Sequence, residues 1–341
     1  MTVISEALVK LSHGEDLSFE KSSGVMDSIM NGECSPVMIA AYLTALAVKG
    51  ETVDEIAGSA TEMRNHALKL PGDHGDALEI VGTGGDRSGS FNISTTSAFV
   101  VASCGVPVAK HGNRAASSKC GAADVLEALG ARLDLEPEQS AKVLDGCGFC
   151  FMFAQKYHTS MKYVAPVRKE MGIRTVFNIL GPLTNPAFAR NQLSGVYSEA
   201  MVRPMTEVLQ KMGVRNALVA YGRDGLDEIS VCDETFCCEL RDGEFREYVI
   251  SPEQFGLGRG RHEDLMGGGP QENAAITRSI LSGEEKGAKR DAVLINAGAG
   301  LYTCGKAGSI SEGVDMAREA IDSGRAVSCL DEYIRLTRSF E

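Results

Sequence analysis

The chain has 341 residues, of which 43% are apolar and 23% charged, the balance of a globular protein that buries a large core without staples. At roughly 100–200 residues per domain this length predicts two domains or one large one. A formal net charge of -12 argues against nucleic acid as a partner, no apolar run is long enough to span a membrane, and the N-terminus MTVISEALVKLSHGEDL reads as neither a signal nor a transit peptide, so a cytoplasmic location is expected.

Residues 3–70 read as helical throughout. Ile39, Tyr42, Leu43, Leu46 and Ala47 follow the helical period after the start signal Ser35-Pro36. A further helix after Thr52 carries Ile56, Ala60 and Met63. The apolar positions left over suit an interface between two copies. The pattern then changes. Ala77 to Val81 is a strand candidate that runs into Gly82-Thr-Gly-Gly-Asp86, and Ser94 to Cys104 is a helix closed by Gly105. Val106 to Ala109 is a second strand, Lys110-His-Gly-Asn-Arg114 a loop, and Asp124 to Leu129 a helix stopped by Gly130. Strand, glycine loop, helix and strand in that order predict a parallel α/β sheet. Farther on, Pro204 to Met212 reads as a helix and Ala217 to Tyr221 as a strand that leads into Gly222–Glu228. Phe236–Leu240 and Phe245–Val249 flank the hairpin signal Asp242-Gly243. Gly256–Gly269 reads as a mobile loop, and Ser309 with Glu312 as a capping box for a helix that ends at Gly324.

Three loops follow strands and carry chemistry. Glycines at 82–86 let backbone N–H groups approach an anion, and Asn92, Ser94 and Thr95 open a helix whose free N–H groups add donors. This is neither a P-loop, since no Gly-Lys-Ser/Thr closes it, nor the dinucleotide fingerprint. Lys110 to Arg114, with Ser117, Ser118 and Lys119, supplies cations at a second strand end, where open α/β sheets bind ligands. Asp227-Glu228, with Asp224 nearby, suits Mg2+ held between carboxylates and phosphates, or is merely a solvated acidic turn. Arg168 could grip a carboxylate in two parallel hydrogen bonds, or lie on a helix surface; His158 is either a base or a structural histidine. The ten cysteines read as reduced and buried. Cys147-Gly-Phe-Cys150 has redox spacing without a strand-to-helix setting.

Gly82-Thr-Gly-Gly-Asp86, Phe91-Asn-Ile-Ser-Thr95, Lys110-His-Gly-Asn-Arg114, Val167-Arg168, Thr175 through Ala187 and Asp224-Gly-Leu-Asp-Glu228 resemble, in this order, the motifs of the anthranilate phosphoribosyltransferase family. Thr159, where that family often has proline, and the loop tip Arg87-Ser88-Gly89 depart from its pattern. The resemblance implies a nucleoside phosphorylase/phosphoribosyltransferase-like α/β fold. Its small all-helical domain would span residues 1–70 with 160–185, and its large α/β domain, built on a mostly parallel sheet, residues 75–159 with 186–341. It implies that Gly82, Gly85, Asp86, Ser90, Asn92, Ile93, Ser94, Thr95, Lys110, His111, Gly112, Asn113, Arg114, Ala115, Ala116, Ser117, Ser118 and Ala122 contact phosphoribosyl pyrophosphate. Gly82, Asn113 and Arg168 would contact anthranilate, and Ser94, Asp227 and Glu228 would serve Mg2+. A homodimer through the helical domain is implied as well. The alternatives are a pyrimidine-nucleoside phosphorylase of the same architecture, against which the Lys110–Arg114 segment and the acid pair argue, and a non-catalytic nucleic-acid-binding relative, against which the net charge argues.

Overall fold

The computed structural model describes residues 1–115 and 118–340. The chain opens with helices α1 (Val3–Ser12), α2 (Phe19–Met30), α3 (Pro36–Lys49) and α4 (Val53–Asn65). A hydroxyl starts each of them: Thr2, Ser18, Ser35 and Thr52 accept the backbone N–H three residues on. At Thr52 the cap is reciprocal. Glu55 accepts the Thr52 N–H at 2.8 Å and, through its other oxygen, the Leu17 N–H at 2.9 Å, so one buried carboxylate starts α4 and anchors the α1–α2 link.

The rest alternates strands and helices: β1 (Leu78–Gly82), α5 (Ile93–Ser103), β2 (Val108–Gly112), α6 (Ala122–Leu129), α7 (Pro137–Cys147) and β3 (Phe149–Phe153). The short helices α8 (Ala154–Tyr157), α9 (Ala165–Met171) and α10 (Phe177–Leu180) follow. Then come β4 (Asn191–Gly195), α11 (Val202–Lys211), β5 (Asn216–Gly222), β6 (Thr235–Arg241), β7 (Glu244–Ile250), α12 (Pro270–Leu281), α13 (Ala288–Thr303), α14 (Ile310–Asp322) and α15 (Arg325–Arg338). Among the described residues the strands form one sheet in the order β3-β2-β1-β4-β5-β6-β7. β1 to β5 run parallel and β6 and β7 antiparallel. Strand order reverses about β1, so the crevice at the carboxyl ends of β1 and β4 is where this topology places a ligand.

Helix α5 is buried almost all round, packed between the sheet and α13, α14 and α15 in one apolar cluster. A second cluster joins α1–α4 to α9, α10, α11 and one face of β5 and β6. No described helix is long and apolar enough to cross a membrane.

Several expectations change. The second strand runs on to Gly112, because the Lys110 ammonium finds partners inside the protein where the sequence suggested a loop. The helix expected from Pro204 starts at Val202, with Pro204 in the first turn, where its missing N–H has no intrahelical partner to lose. Ser309 caps α14, but Glu312 turns to the Gly308 N–H at 2.7 Å instead of closing the box. The 256–269 segment is pinned rather than loose: Gly260 donates to Val231, Phe91 to Leu265 and Gly267 to Gly89. Strands β3 and β4 and helices α12, α13 and α15 were not anticipated. The ten cysteines are all free, five of them only partly buried. Cys147 ends α7 and Cys150 sits inside β3, and burial pushes the Cys147 thiol up to about 11, which leaves it no thiolate character.

Candidate active site

β1 and β4 end side by side at Gly82 and Gly195. The segment after β5 crosses directly over them. A Cβ on Gly195 would fall 1.5 Å from the Asp227 carbonyl oxygen, and one on Gly82 would fall 2.4 Å from its carboxylate. Glycine is required at both strand ends for this crossing. Asn296, buried in α13, holds the crossing chain by exchanging hydrogen bonds with Ile229 N–H (3.1 Å) and C=O (2.9 Å).

The crossing delivers two carboxylates to two anion donors. Gly84 and Gly85 take φ values of 69° and 75°, and the Gly84 N–H donates to Asp227 Oδ2 at 2.6 Å. At the start of α5, where no side chain caps the helix, the Ser94 N–H donates to Glu228 Oε1 at 3.2 Å. Asp227 is therefore a buried group and Glu228 a partly buried one, not the solvated turn that a loop position suggested. Burial, then the charges of Asp86 and Glu228, push Asp227 well above the carboxylate range, and burial pushes Glu228 up to about 7 against the pull of Lys110. Asp86 is thus the third acid of the group, and its Oδ2 is buried with no hydrogen-bond partner among the described residues. Asp224 is not part of it, since it accepts from the Ser230 hydroxyl at 2.8 Å and closes its own turn. Asp86, Asp227 and Glu228 bring to the mouth of the glycine loop the hard oxygen donors that Mg2+ prefers, although their oxygens do not all lie within 4.8 Å of one another.

These shifts fix a pH response. A carboxyl whose folded pKa stands near 7 against an unfolded value near 4.5 holds its proton longer in the native state. Its stabilisation is complete below the unfolded value and is lost as pH rises through 7. The metal-free protein should therefore melt higher at pH 6 than at pH 8, and Mg2+ should raise the melting temperature more at pH 8, where it does not compete with protons. Calorimetric scans at both values, with and without Mg2+, check this. A Mg2+ effect larger at pH 6 would refute it.

Lys110 is buried beneath this group. Its ammonium donates to Ile80 C=O at 2.5 Å and Ser94 Oγ at 3.3 Å. Burial lowers its pKa, while Glu79, Glu228 and Asp227 pull it back up. The seam between β1 and β2 opens here. Parallel pairing is formed at Leu78 and Val108; beyond it side chains take over. Asn185 donates to Ala109 C=O at 2.8 Å and to the Glu79 carboxylate, and the His111 N–H also donates to Glu79. Glu79 and Asn185 thus wedge the strands apart where Lys110 enters.

The other expected residues separate into groups. Ile93 and Thr95 are buried, so only the main chain of their helix start can meet a ligand. Asn92 joins the Cys120 carbonyl to Asn273, and Ser90 accepts from Ser88. Gly112 lies against Ala122, at the start of α6. The Ala115 and Gly121 N–H groups both donate to Asp124, which closes the turn that holds Ser118. Ala116 and Ser117 lie outside the described residues. Arg114 turns away to Asp124 and Glu127 on α6, and Asn113 folds onto the Arg114 N–H. Lys110, not Arg114, is the cation beneath the acids.

Arg168 on α9 is half-buried, stacked over the Phe177 ring at 5.3 Å. Among the described residues no acceptor meets its guanidinium, and burial lowers its pKa. It is not a solvated helix arginine, and its donors are left open to an acceptor such as a carboxylate. His111 and His158 are buried with rings 4.9 Å apart, and burial holds His158 down to about 4, so it is neutral. Sequence reasoning missed Glu79, Asn185 and Asn296. The lone Asn in the apolar helical run of α13 was the one available signal. The concave pockets lined by Asp73, His74 and Asp145 and by Phe188 and Arg190 lie at the opposite, amino ends of the strands.

Residues 74–327 match the α/β domain, and residues 5–67 the helical bundle domain, of a glycosyl transferase family. The chain is 58% identical over 337 residues to the anthranilate phosphoribosyltransferase of Methanobrevibacter smithii, covering 99% of this chain and 100% of that one. It superposes on the anthranilate phosphoribosyltransferase of Thermus thermophilus with a TM-score of 0.93 at 47% identity, over 99% and 100% of the two chains. The Saccharomyces cerevisiae enzyme, solved in complex with PRPP and Mg, superposes with a TM-score of 0.89 at 28% identity over 98% of each chain.

Proposed function

Because the chain belongs to the anthranilate phosphoribosyltransferase family, we infer that it transfers the phosphoribosyl group of phosphoribosyl pyrophosphate to the amine of anthranilate. The products are N-(5-phosphoribosyl)anthranilate and pyrophosphate, in the pathway to tryptophan. Family membership favours this over nucleoside phosphorolysis and over nucleic-acid binding.

The observation that carries the reading to this chain's own residues is the pairing of an acid group on anion donors with an arginine whose guanidinium meets no hydrogen-bond acceptor among the described residues. The Gly84 and Ser94 N–H groups and the Lys110 ammonium would receive the diphosphate and 5-phosphate oxygens. Gly85, Asp86, Ser90, Asn92, Asn113 and Ser118 would surround the rest. Mg2+ held by Asp86, Asp227 and Glu228 would neutralise charge on the departing diphosphate. The Arg168 guanidinium would take the anthranilate carboxylate in two parallel bonds, with Asn113 and Gly82 beside it, and so aim the amine at the ribose carbon. The aromatic amine is unprotonated near neutral pH and needs no strong base, consistent with a neutral His158. Holding both substrates in line lowers the barrier by several kcal/mol, up to about 7–11 in ideal models.

Loss of anthranilate fluorescence with phosphoribosyl pyrophosphate and Mg2+ tests the reaction. Turnover of thymidine or uridine with phosphate, leaving anthranilate untouched, would defeat it. Arg168→Ala should raise the KM for anthranilate about tenfold or more, since a charged hydrogen bond is worth roughly 1.5–3 kcal/mol, and leave phosphoribosyl pyrophosphate binding nearly unchanged. Equal anthranilate affinity by calorimetry would reduce Arg168 to a structural role.

The reading extends to organisation. The helical unit would comprise residues 1–70 with 160–185, supported by the apolar cluster that α9 and α10 share with α1–α4. Val9, Val37 and Val48 are more than half exposed on α1 and α3. They support a homodimer through this unit, which sedimentation velocity would read directly. A cytoplasmic site of action fits the pathway.

A further inference from the structure

We propose that Arg174 is a positioning residue that ties the helical side of the cleft to the glycine loop and holds that loop ready for the diphosphate. This rests on the reading above. Arg174 lies in the short link between α9, which carries Arg168, and α10. From there its guanidinium crosses to the sheet side and donates to the Gly85 carbonyl at 2.8 Å. Its guanidinium carbon lies over the Tyr197 ring, 4.4 Å from the centroid, just beyond the end of β4. One side chain therefore touches the links after α9, β1 and β4.

The contact is specific to what the loop must do. A cation on the Gly85 carbonyl polarises the Gly85–Asp86 peptide and strengthens its N–H as a donor. It also fixes a stretch in which Gly84, Gly85 and Arg87 all have positive φ, at 69°, 75° and 61°. A turn with positive-φ residues can gather its N–H groups toward one side, an arrangement that binds phosphate. Gly84 and Asp86 flank the held carbonyl, and the first donates to Asp227 while the second supplies the third acid. Among the described residues Gly85 is the one hydrogen-bond acceptor of Arg174, so this exposed arginine is not spent on a surface ion pair. Tyr197 supplies a flat face that a guanidinium can stack on and an ammonium cannot match.

The test compares wild type with Arg174→Ala and Arg174→Lys by hydrogen exchange in the substrate-free protein, by calorimetry with pyrophosphate and Mg2+, and by steady-state kinetics. Arg174→Ala should speed exchange across residues 83–88 and weaken pyrophosphate about tenfold, the scale of one charged hydrogen bond. The KM for phosphoribosyl pyrophosphate should rise with it, while that for anthranilate stays within about twofold. Arg174→Lys keeps a charged donor and should recover part of the loop protection. Unchanged loop exchange in Arg174→Ala overturns the proposal, even if substrate affinity falls, because Arg174 would then be a direct phosphate contact. Wild-type protein that fails to bind pyrophosphate with Mg2+ would instead overturn the functional reading.

Discussion

Turnover should fall by about two powers of ten or more when Asp227→Asn and Glu228→Gln are combined, the scale set by losing an electrostatic contact to the transition state. Both substitutions keep shape and remove charge. Among the described residues Lys110 is the one buried cation beneath this group, while Arg114 is committed to Asp124 and Glu127. Without the acid pair only Asp86 of the proposed group would be left to hold the metal that neutralises the leaving diphosphate. Stability should move the other way. Asp227 and Glu228 are crowded against each other and Asp86, and burial already penalises their charge. The double variant should therefore melt above the metal-free wild type at pH 8, with anthranilate binding nearly intact. Excess Mg2+ should restore part of the rate. Steady-state assays across a Mg2+ titration, beside calorimetric scans, read both effects. Wild-type turnover with an unchanged Mg2+ curve would show that the pair does not serve catalysis.

The second large effect is expected from Lys110→Met. This replacement keeps most of the volume and removes the ammonium that faces Glu79, Asp227 and Glu228. Taking one partner from a buried charge group costs about 3–5 kcal/mol, because the remaining charges lose their compensation. The Ile80 carbonyl and Ser94 hydroxyl lose their donor too. The variant should melt well below wild type at pH 8, and the gap should narrow toward pH 6 as the acids take up protons. Turnover should drop at least a hundredfold, on the scale of one lost electrostatic contact. A Lys110→Met protein with wild-type melting at pH 8 and full activity would mean that the lysine merely fills space.

Much of this site was legible from residue types in order. A glycine loop, a cationic strand end and an acid pair each follow a strand, and parallel topology brings strand ends to one edge. What stayed hidden depends on long-range packing. Asp86 sits in the glycine motif, so its partnership with Asp227 is invisible until β5 is seen to lead back over Gly82 and Gly195. Glu79 and Asn185 are separated by 106 positions and meet in the open seam between β1 and β2. Lys110 was read as a loop residue because a charge commonly ends a strand, and its buried partners come from β1 and α5. The strands β3 and β4 escaped notice for a related reason. Phe149–Phe153 and Asn191–Gly195 are buried nearly along their length, so they show no alternation.

If the diphosphate is received where proposed, the carboxylates resting on the Gly84 and Ser94 N–H groups would make ligand entry an exchange of counter-ions. A bare inorganic phosphate would have to displace two anions and then sit among them with its own charge uncancelled. A diphosphate escorted by a divalent cation would bring the displaced carboxylates a new partner and take over their donors in the same event. On the proposed reading the protein would thereby discriminate among anions by the cation that accompanies them, before any ribose or aromatic ring is recognised.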